Sequence, residues 1–227
     1  MTMHLPDLYD SYSILDRQRR NRARRTGLYR GGVKRMIDVS LVLISLPLVA
    51  PMLAILALLV ARDGHSPFYW NRRVGRGGRV FHMLKLRTMV PDADRKLQEH
   101  LDNCPAAAAE WSYSQKLRND PRVTRVGRFL RKCSLDELPQ IWNVLRGDMS
   151  LVGPRPIMPN QAPLYPGTAY FNLRPGLTGP WQVSDRHESA FVKRAEYDAR
   201  YEAELSLATD TRLIVRTLGV VMRGTGC

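Results

Sequence analysis

The sequence predicts a mixed, mainly helical α/β fold: a membrane-embedded re-entrant helical hairpin followed by a small cytosolic domain with a β-hairpin and amphipathic interfacial helices. Three observations carry that expectation. Val39 to Ala61 is an uncharged apolar run of the length that matches a hydrocarbon core about 30 Å thick. Arginines and lysines crowd both of its flanks. Beyond it, short β-rich runs, glycine turns and helical periodicities follow one another without an internal repeat. The expected organisation is a basic, largely disordered tail over 1–33, the re-entrant helix over 34–62 and one cytosolic domain over 63–227.

The chain has 227 residues, 44% of them hydrophobic, enough for one core with an appended membrane element. A net charge of +14 calls for an acidic partner: nucleic acid, anionic lipid or a phosphorylated substrate. Three cysteines, Cys104, Cys133 and Cys227, have neither paired spacing nor histidines at metal-ligand intervals, so they suggest neither a disulfide framework nor a zinc site.

Within the apolar run Pro47 and Pro51 each remove a backbone donor and crowd the preceding turn, which predicts a bend. Split at Ala50-Pro51, each leg rises about 15–18 Å, roughly one leaflet. Nine cationic residues from Arg17 to Arg35 precede the run, and Arg62, Arg72, Arg73, Arg76 and Arg79 follow it. Cationic flanks favour the cytoplasmic side, so a hairpin dipping into the inner leaflet suits both ends. The competing readings are a straight signal anchor and a buried core helix. The Arg17–Arg35 tract itself reads as a tail on anionic lipid, with nucleic-acid binding as its rival.

In the cytosolic part, Phe68-Tyr69-Trp70 and Val80 to Met89 read as two strands joined by a turn containing Gly75, Gly77 and Gly78. Alternation places Lys85 and Arg87 on one face. Helices are expected over 92–103 and 106–117, separated by Pro105. Arg122, Arg125, Arg128 and Arg131 recur at threes among Val123, Val126, Phe129 and Leu130, the pattern of a basic amphipathic helix at a membrane interface or of a solvated face over the core. Thr211 to Arg223 has the same character.

The chemistry concentrates between Ser134 and Pro156, SLDELPQIWNVLRGDMSLVGPRP. Ser134 and Glu137 fit a capping box, which puts Asp136 and Glu137 in the first turn of a short helix. Acidic residues are favoured there by the helix dipole alone. The same helix end attracts phosphate, however, and Lys85, Arg87, Arg131 and Arg155 are candidate cations to receive one. Gly153-Pro154-Arg155-Pro156 would hold a guanidinium rigidly for bidentate phosphate recognition. RPGLTGPWQVSDR, from Arg174 to Arg186, adds a second glycine-proline loop.

Together KRMID (34–38), the proline-broken apolar run, LKLRTM (84–89), NDPRVTRVG (119–127), the 134–156 stretch and RPGLTGPWQVS (174–184) resemble the small monotopic bacterial phosphoglycosyl transferases. Within that family the likeness is strongest to enzymes that prime exopolysaccharide repeat units. The resemblance implies transfer of a hexose 1-phosphate, galactose first and glucose second, from a UDP-hexose to undecaprenyl phosphate, with release of UMP. It implies Asp136 as the nucleophile that forms a phosphosugar-aspartate, Glu137 as its helper, Asp136 as a ligand of Mg²⁺, and Lys85, Arg87, Arg155 and Arg186 as binders of phosphate or nucleotide. It further implies a place on the cytoplasmic face of the bacterial inner membrane, in anionic lipid and without nucleic acid. Two departures stand out: Ala50-Pro51 occupies the position of the family's serine-proline break, and Asp185 stands where relatives carry glycine. The rival classes are a non-catalytic basic membrane scaffold and a nucleic-acid binder.

Overall fold

The computed structural model describes residues 27–114, 117–184 and 191–222. A π-helical turn, Tyr29–Val33, leads into α1, Lys34–Ala61. Both prolines lie inside this one helix, and no turn separates two legs at Ala50-Pro51. Tyr29–Ala61 is long and apolar enough to cross a membrane by length and composition.

One stripe of α1 lies against the rest of the molecule along its length. Val42, Leu46 and Val49 meet Phe81, Met83, Val144 and Met149. Further along, Leu53, Leu56 and Val60 meet Leu86, Leu130 and Leu138. Polar contacts fasten both ends. At the start, Lys34 Nζ is 2.5 Å from Asp210 Oδ2, Arg35 donates to the carbonyls of Val144 and Leu145, and Ser150 Oγ donates to Asp38 Oδ2 at 2.6 Å. At the finish, Arg87 donates to the carbonyl of Val60 at 3.3 Å and pairs with Asp63 at 2.6 Å. The opposite stripe is bare: Ile44 is 75% and Leu48 77% exposed, with Ile55 and Leu58 beside them.

The expected hairpin forms from β1, Phe68–Val74, and β2, Val80–Leu86, antiparallel with Phe68 opposite Leu86 and Val74 opposite Val80. Gly77 and Gly78 have φ of 69° and 78°, the left-handed conformations a glycine supplies without strain. The first strand is longer than expected and the second ends before Arg87. Helices α2, Ala93–Asn103, and α3, Pro105–Ser114, follow.

The basic segment departs from expectation at its start. Helix α4 covers only Arg125–Lys132, capped by Thr124 Oγ1 accepting from Gly127 N at 2.8 Å. Arg122 lies outside it, buried, paired with Asp120 at 2.7 Å and set over the Trp111 ring. Phe129 is exposed on α4. A 3-10 turn, Leu135–Gln140, continues into α5, Ile141–Arg146.

A second, two-stranded sheet escaped sequence reading. Strand β3, Ser150–Val152, runs parallel to β4, Gly176–Thr178, with α6, Ala169–Asn172, between them. It explains the glycines of the two glycine-proline loops. A Cβ on Gly153 would lie 2.3 Å from the Arg174 carbonyl, and one on Gly176 2.1 Å from Gly153 N. The loops cross in backbone contact. Helices α7, Arg194–Glu204, and α8, Leu207–Met222, close the fold. Tyr201 and Leu213 on these helices pack with Tyr29 and Val152, while Val215 and Leu218 are exposed.

Candidate active site

Asp136 and Glu137 sit on the 3-10 turn, not on an α-helical first turn. Ser134 adopts φ 55°, ψ 21°, and its side chain caps nothing, so the expected capping box does not form. Its carbonyl accepts from Glu137 N at 3.3 Å. Freed from capping, the Glu137 carboxylate reaches across to β2, where Lys85 Nζ lies 2.7 Å from Glu137 Oε1 and 3.5 Å from Asp136 Oδ2. One ammonium thus bridges both carboxylates.

The register that brings Lys85 here is set by Asn143, which is fully buried on α5. Its Oδ1 accepts from Leu84 N at 2.9 Å and its Nδ2 donates to the His82 carbonyl at 2.8 Å. An amide side chain serves as a missing strand neighbour for β2, and the carboxylate-bearing turn is held beside it. Nothing in the sequence pattern separates this asparagine from an ordinary helical one.

The two carboxylates experience opposite environments. Burial pushes the Asp136 carboxyl above the usual range, and Lys85 and Arg131 offset this only in part. For Glu137 burial also acts upward, but Lys85, Arg155 and Arg73 outweigh it and hold the group below its usual value. The charge of Asp136 is therefore costly, and the cations nearby offset part of that cost. A carboxylate that is poorly solvated, with a second one beside it kept anionic, is suited to nucleophilic attack on phosphorus.

Next to this pair opens a pocket of about 300 Å³, lined by Lys85, Glu137, Gln140, Arg73, Arg155 and Gln182. Arg155 lies over the Trp181 ring at 5.6 Å, and Arg194 over the same ring at 4.1 Å. The Nε atoms of Arg73 and Arg194 are buried and lack hydrogen-bond partners among the described residues. Burial, then repulsion from Arg155, holds Arg73 below the usual arginine range, and the same causes push Arg194 down to about 10. Crowded, partly desolvated guanidiniums of this kind form a site prepared for an oxyanion.

Of the residues singled out in the sequence, Asp136, Glu137, Lys85 and Arg155 come together, with Arg131 close enough to act on Asp136. Arg87 does not join them. Its guanidinium is taken up by Asp63 and by the carbonyls of Ser66, Met89 and Val60, so Lys85 on β2 and Arg87 just past its end turn toward different partners. Arg186 and Asp185 lie outside the described residues. Arg73 and Arg194 were missed as site residues, because one lies in a strand and the other at the start of a helix, each outside every quoted motif.

Among the described residues no three histidine, cysteine or acidic side chains cluster as a metal cage. The donor set nonetheless fits a Mg²⁺ ion of the sort that needs one or two carboxylates and takes its remaining ligands from substrate phosphates and water. Asp136 is the carboxylate whose charge Lys85 compensates least closely.

The sequence profile described as bacterial sugar transferase matches residues 29–224. The chain belongs to the bacterial sugar transferase family. The enzyme is 46% identical over 196 residues to a UDP-galactose-lipid carrier transferase of Erwinia amylovora, covering 86% of this chain and 41% of that protein. It is 44% identical over 200 residues to the exopolysaccharide production protein ExoY of Sinorhizobium fredii, covering 86% of this chain and 88% of that one. An undecaprenyl-phosphate galactose phosphotransferase of Salmonella typhimurium is 42% identical over 215 residues, 94% of this chain and 44% of its own length. The sugar transferase thus spans less than half of two of these relatives and most of the third. Family membership makes it a transferase and displaces the scaffold reading.

Proposed function

We propose that this sugar transferase moves a hexose 1-phosphate from a UDP-hexose to undecaprenyl phosphate at the cytoplasmic face of the bacterial inner membrane, as the first step in assembling an exopolysaccharide repeat unit. The observation that carries the reading is the Asp136–Glu137 pair bridged by Lys85 beside an arginine-lined pocket. The names of the relatives support the acceptor and the pathway, and two of them name galactose. Galactose is therefore the first choice of hexose and glucose the second.

In the first step an oxygen of Asp136 attacks the β-phosphorus of the UDP-hexose. An acyl-phosphate O–P bond forms, the bond from that phosphorus to the bridging oxygen breaks, and UMP leaves with the electron pair. Arg155, Arg73 and Arg194 receive the charge that accumulates on the leaving nucleotide. Lys85 neutralises the carboxylates while an anion approaches. A bound Mg²⁺, held by Asp136 and the diphosphate, would add Lewis-acid screening. In the second step an oxygen of the lipid phosphate attacks the same phosphorus, the aspartyl O–P bond breaks, and the Asp136 carboxylate is regenerated. Glu137, kept anionic by its cations, accepts a proton from an incoming monoprotonated phosphate.

The re-entrant path of α1 is part of this reading. It is supported by the fastening of both helix ends to one domain and by the bare stripe around Ile44 and Leu48, which suits lipid.

The decisive assay follows UMP release from a panel of UDP-hexoses with undecaprenyl phosphate. Asp136→Asn keeps side-chain shape and removes the nucleophile, so turnover should fall at least about 10³-fold. Turnover at the wild-type rate would overturn the proposal.

A further inference from the structure

A second basic pocket lies at the foot of α1, with about 420 Å³ of open space and no lining residue in common with the pocket beside Glu137. Arg30, Lys34 and Arg35 contribute from the start of the helix, Arg76 from the hairpin turn, and Arg174 from the loop before β4. The structure accounts for part of this charge. Lys34 is paired with Asp210 and lies 4.0 Å from Asp38, and Arg30 is paired with Glu202. Arg35 and the Nε of Arg174 donate to the carbonyls of Val144, Leu145 and Gly147, satisfying the end of α5.

The remainder is unaccounted for. Neither Arg76 nor the terminal nitrogens of Arg174 have a hydrogen-bond or ion-pair partner among the described residues. Burial, then the charges of Arg35 and Arg76, hold the Arg174 guanidinium below its usual range, with Asp38 acting the other way. Arg35, Arg76 and Arg174, from three separate segments, line one concavity whose carboxylate, Asp38, is already engaged by Ser150 Oγ and the Leu151 amide, so an added anion would relieve their mutual repulsion. Directly beyond it on α1 come exposed apolar residues, Met36, Leu41, Leu43 and Ile44, so an anion seated here would have hydrocarbon-compatible surface beside it.

We propose that this pocket binds a phosphate group, presented by an anionic phospholipid headgroup, through Arg76 and Arg174. The site is independent of the chemistry at Asp136. It would fix the depth and rotation of α1 by tying its foot to the headgroup layer, to which a polybasic segment is drawn even without a pocket.

The test is calorimetric titration of the full-length protein in a neutral maltoside detergent with dihexanoyl phosphatidylglycerol and, separately, with inorganic phosphate. The expected result is saturable binding of the lipid, weakened about tenfold in Arg76→Gln by loss of one charge-assisted donor. It should be unchanged in Arg155→Gln, which alters only the other pocket. Arg76 is on an exposed turn, so this variant should melt at the wild-type temperature; Arg174→Gln, which also loses a helix-end contact, serves as the second variant. Inorganic phosphate bound with the same sensitivity to Arg76→Gln would establish phosphate itself as the ligand, whereas lipid binding alone would assign the site to a headgroup. No saturable binding of either probe, wild-type affinity in both Arg76→Gln and Arg174→Gln, or binding lost in Arg155→Gln instead, would overturn the proposal. None of these outcomes depends on the sugar-transfer reading.

Discussion

Asp136 and Glu137 are neighbours in sequence, yet their surroundings push them in opposite directions, burial dominating for one and Lys85, Arg155 and Arg73 prevailing for the other. That split was not legible in the sequence, where both residues read as a helix cap complementing a dipole. The pair itself was legible, as were Lys85 and Arg155. The misreading of Arg87 has a simple cause: strand alternation applies only while the strand lasts, and β2 ends at Leu86. Lys85→Met should leave two adjacent carboxylates without their shared counter-ion. Its catalytic rate should fall at least about 10²-fold, with a fitted activity profile displaced toward higher pH as Glu137 loses its largest downward influence. An unchanged rate and profile would remove Lys85 from the site.

A second residue-scale expectation concerns Asp198, buried on α7, where Tyr165 OH donates to it at 2.8 Å. Burial pushes its carboxyl up to about 7, against the lowering effects of Tyr165 and Arg194. The folded state therefore holds this proton more tightly than the unfolded chain. Stability is highest below about pH 4 as far as this group is concerned, and declines as pH rises toward about 7, by a total on the order of 4 kcal/mol. Asp198→Asn keeps an acceptor for Tyr165 and removes the titration. Melting temperatures measured at pH 5.5 and pH 8 should differ less in this variant than in the wild type.

At the scale of elements, the fold was readable where local pattern decides: the apolar helix, the glycine-turned hairpin, the helices either side of Pro105 and the C-terminal amphipathic helix. It was not readable where long-range backbone contacts decide. Strands β3 and β4 have three residues each, too few for an alternation to register, and only the glycines at their crossing betray them. Asn143 belongs to the same class, since its importance lies in the strand it touches. Asn143→Ala would leave the Leu84 amide and the His82 carbonyl without these partners in a partly buried place. We expect a loss of about 2–3 kcal/mol in chemical denaturation together with reduced transfer activity, because β2 carries Lys85. A stability loss below about 0.5 kcal/mol would show that another group sets the register.

For the whole molecule, the sequence indicated a membrane element with both flanks on one side, and the structure adds that α1 is a single helix fastened at both ends to the domain that holds the active site. A straight span would carry one of those ends away. Single cysteines at Gly31 and Arg62, in a background without Cys104, Cys133 and Cys227, should both react with an impermeant maleimide only after the inner membrane is opened. Reaction of either in intact cells favours a single pass. On the proposed reading, such anchoring would put Asp136 within reach of a lipid phosphate while the arginine-lined pocket stays on the aqueous side. The proposed function requires that Asp136 carry the sugar phosphate between the two substrates. The most direct test is intact-mass and peptide mass spectrometry of the full-length enzyme quenched in acid after brief exposure to UDP-galactose without lipid acceptor. The expected result is a phosphohexose adduct on the peptide containing Asp136, absent from Asp136→Asn and discharged when undecaprenyl phosphate is added. UMP release with no such adduct, or with the adduct on another residue, would contradict it.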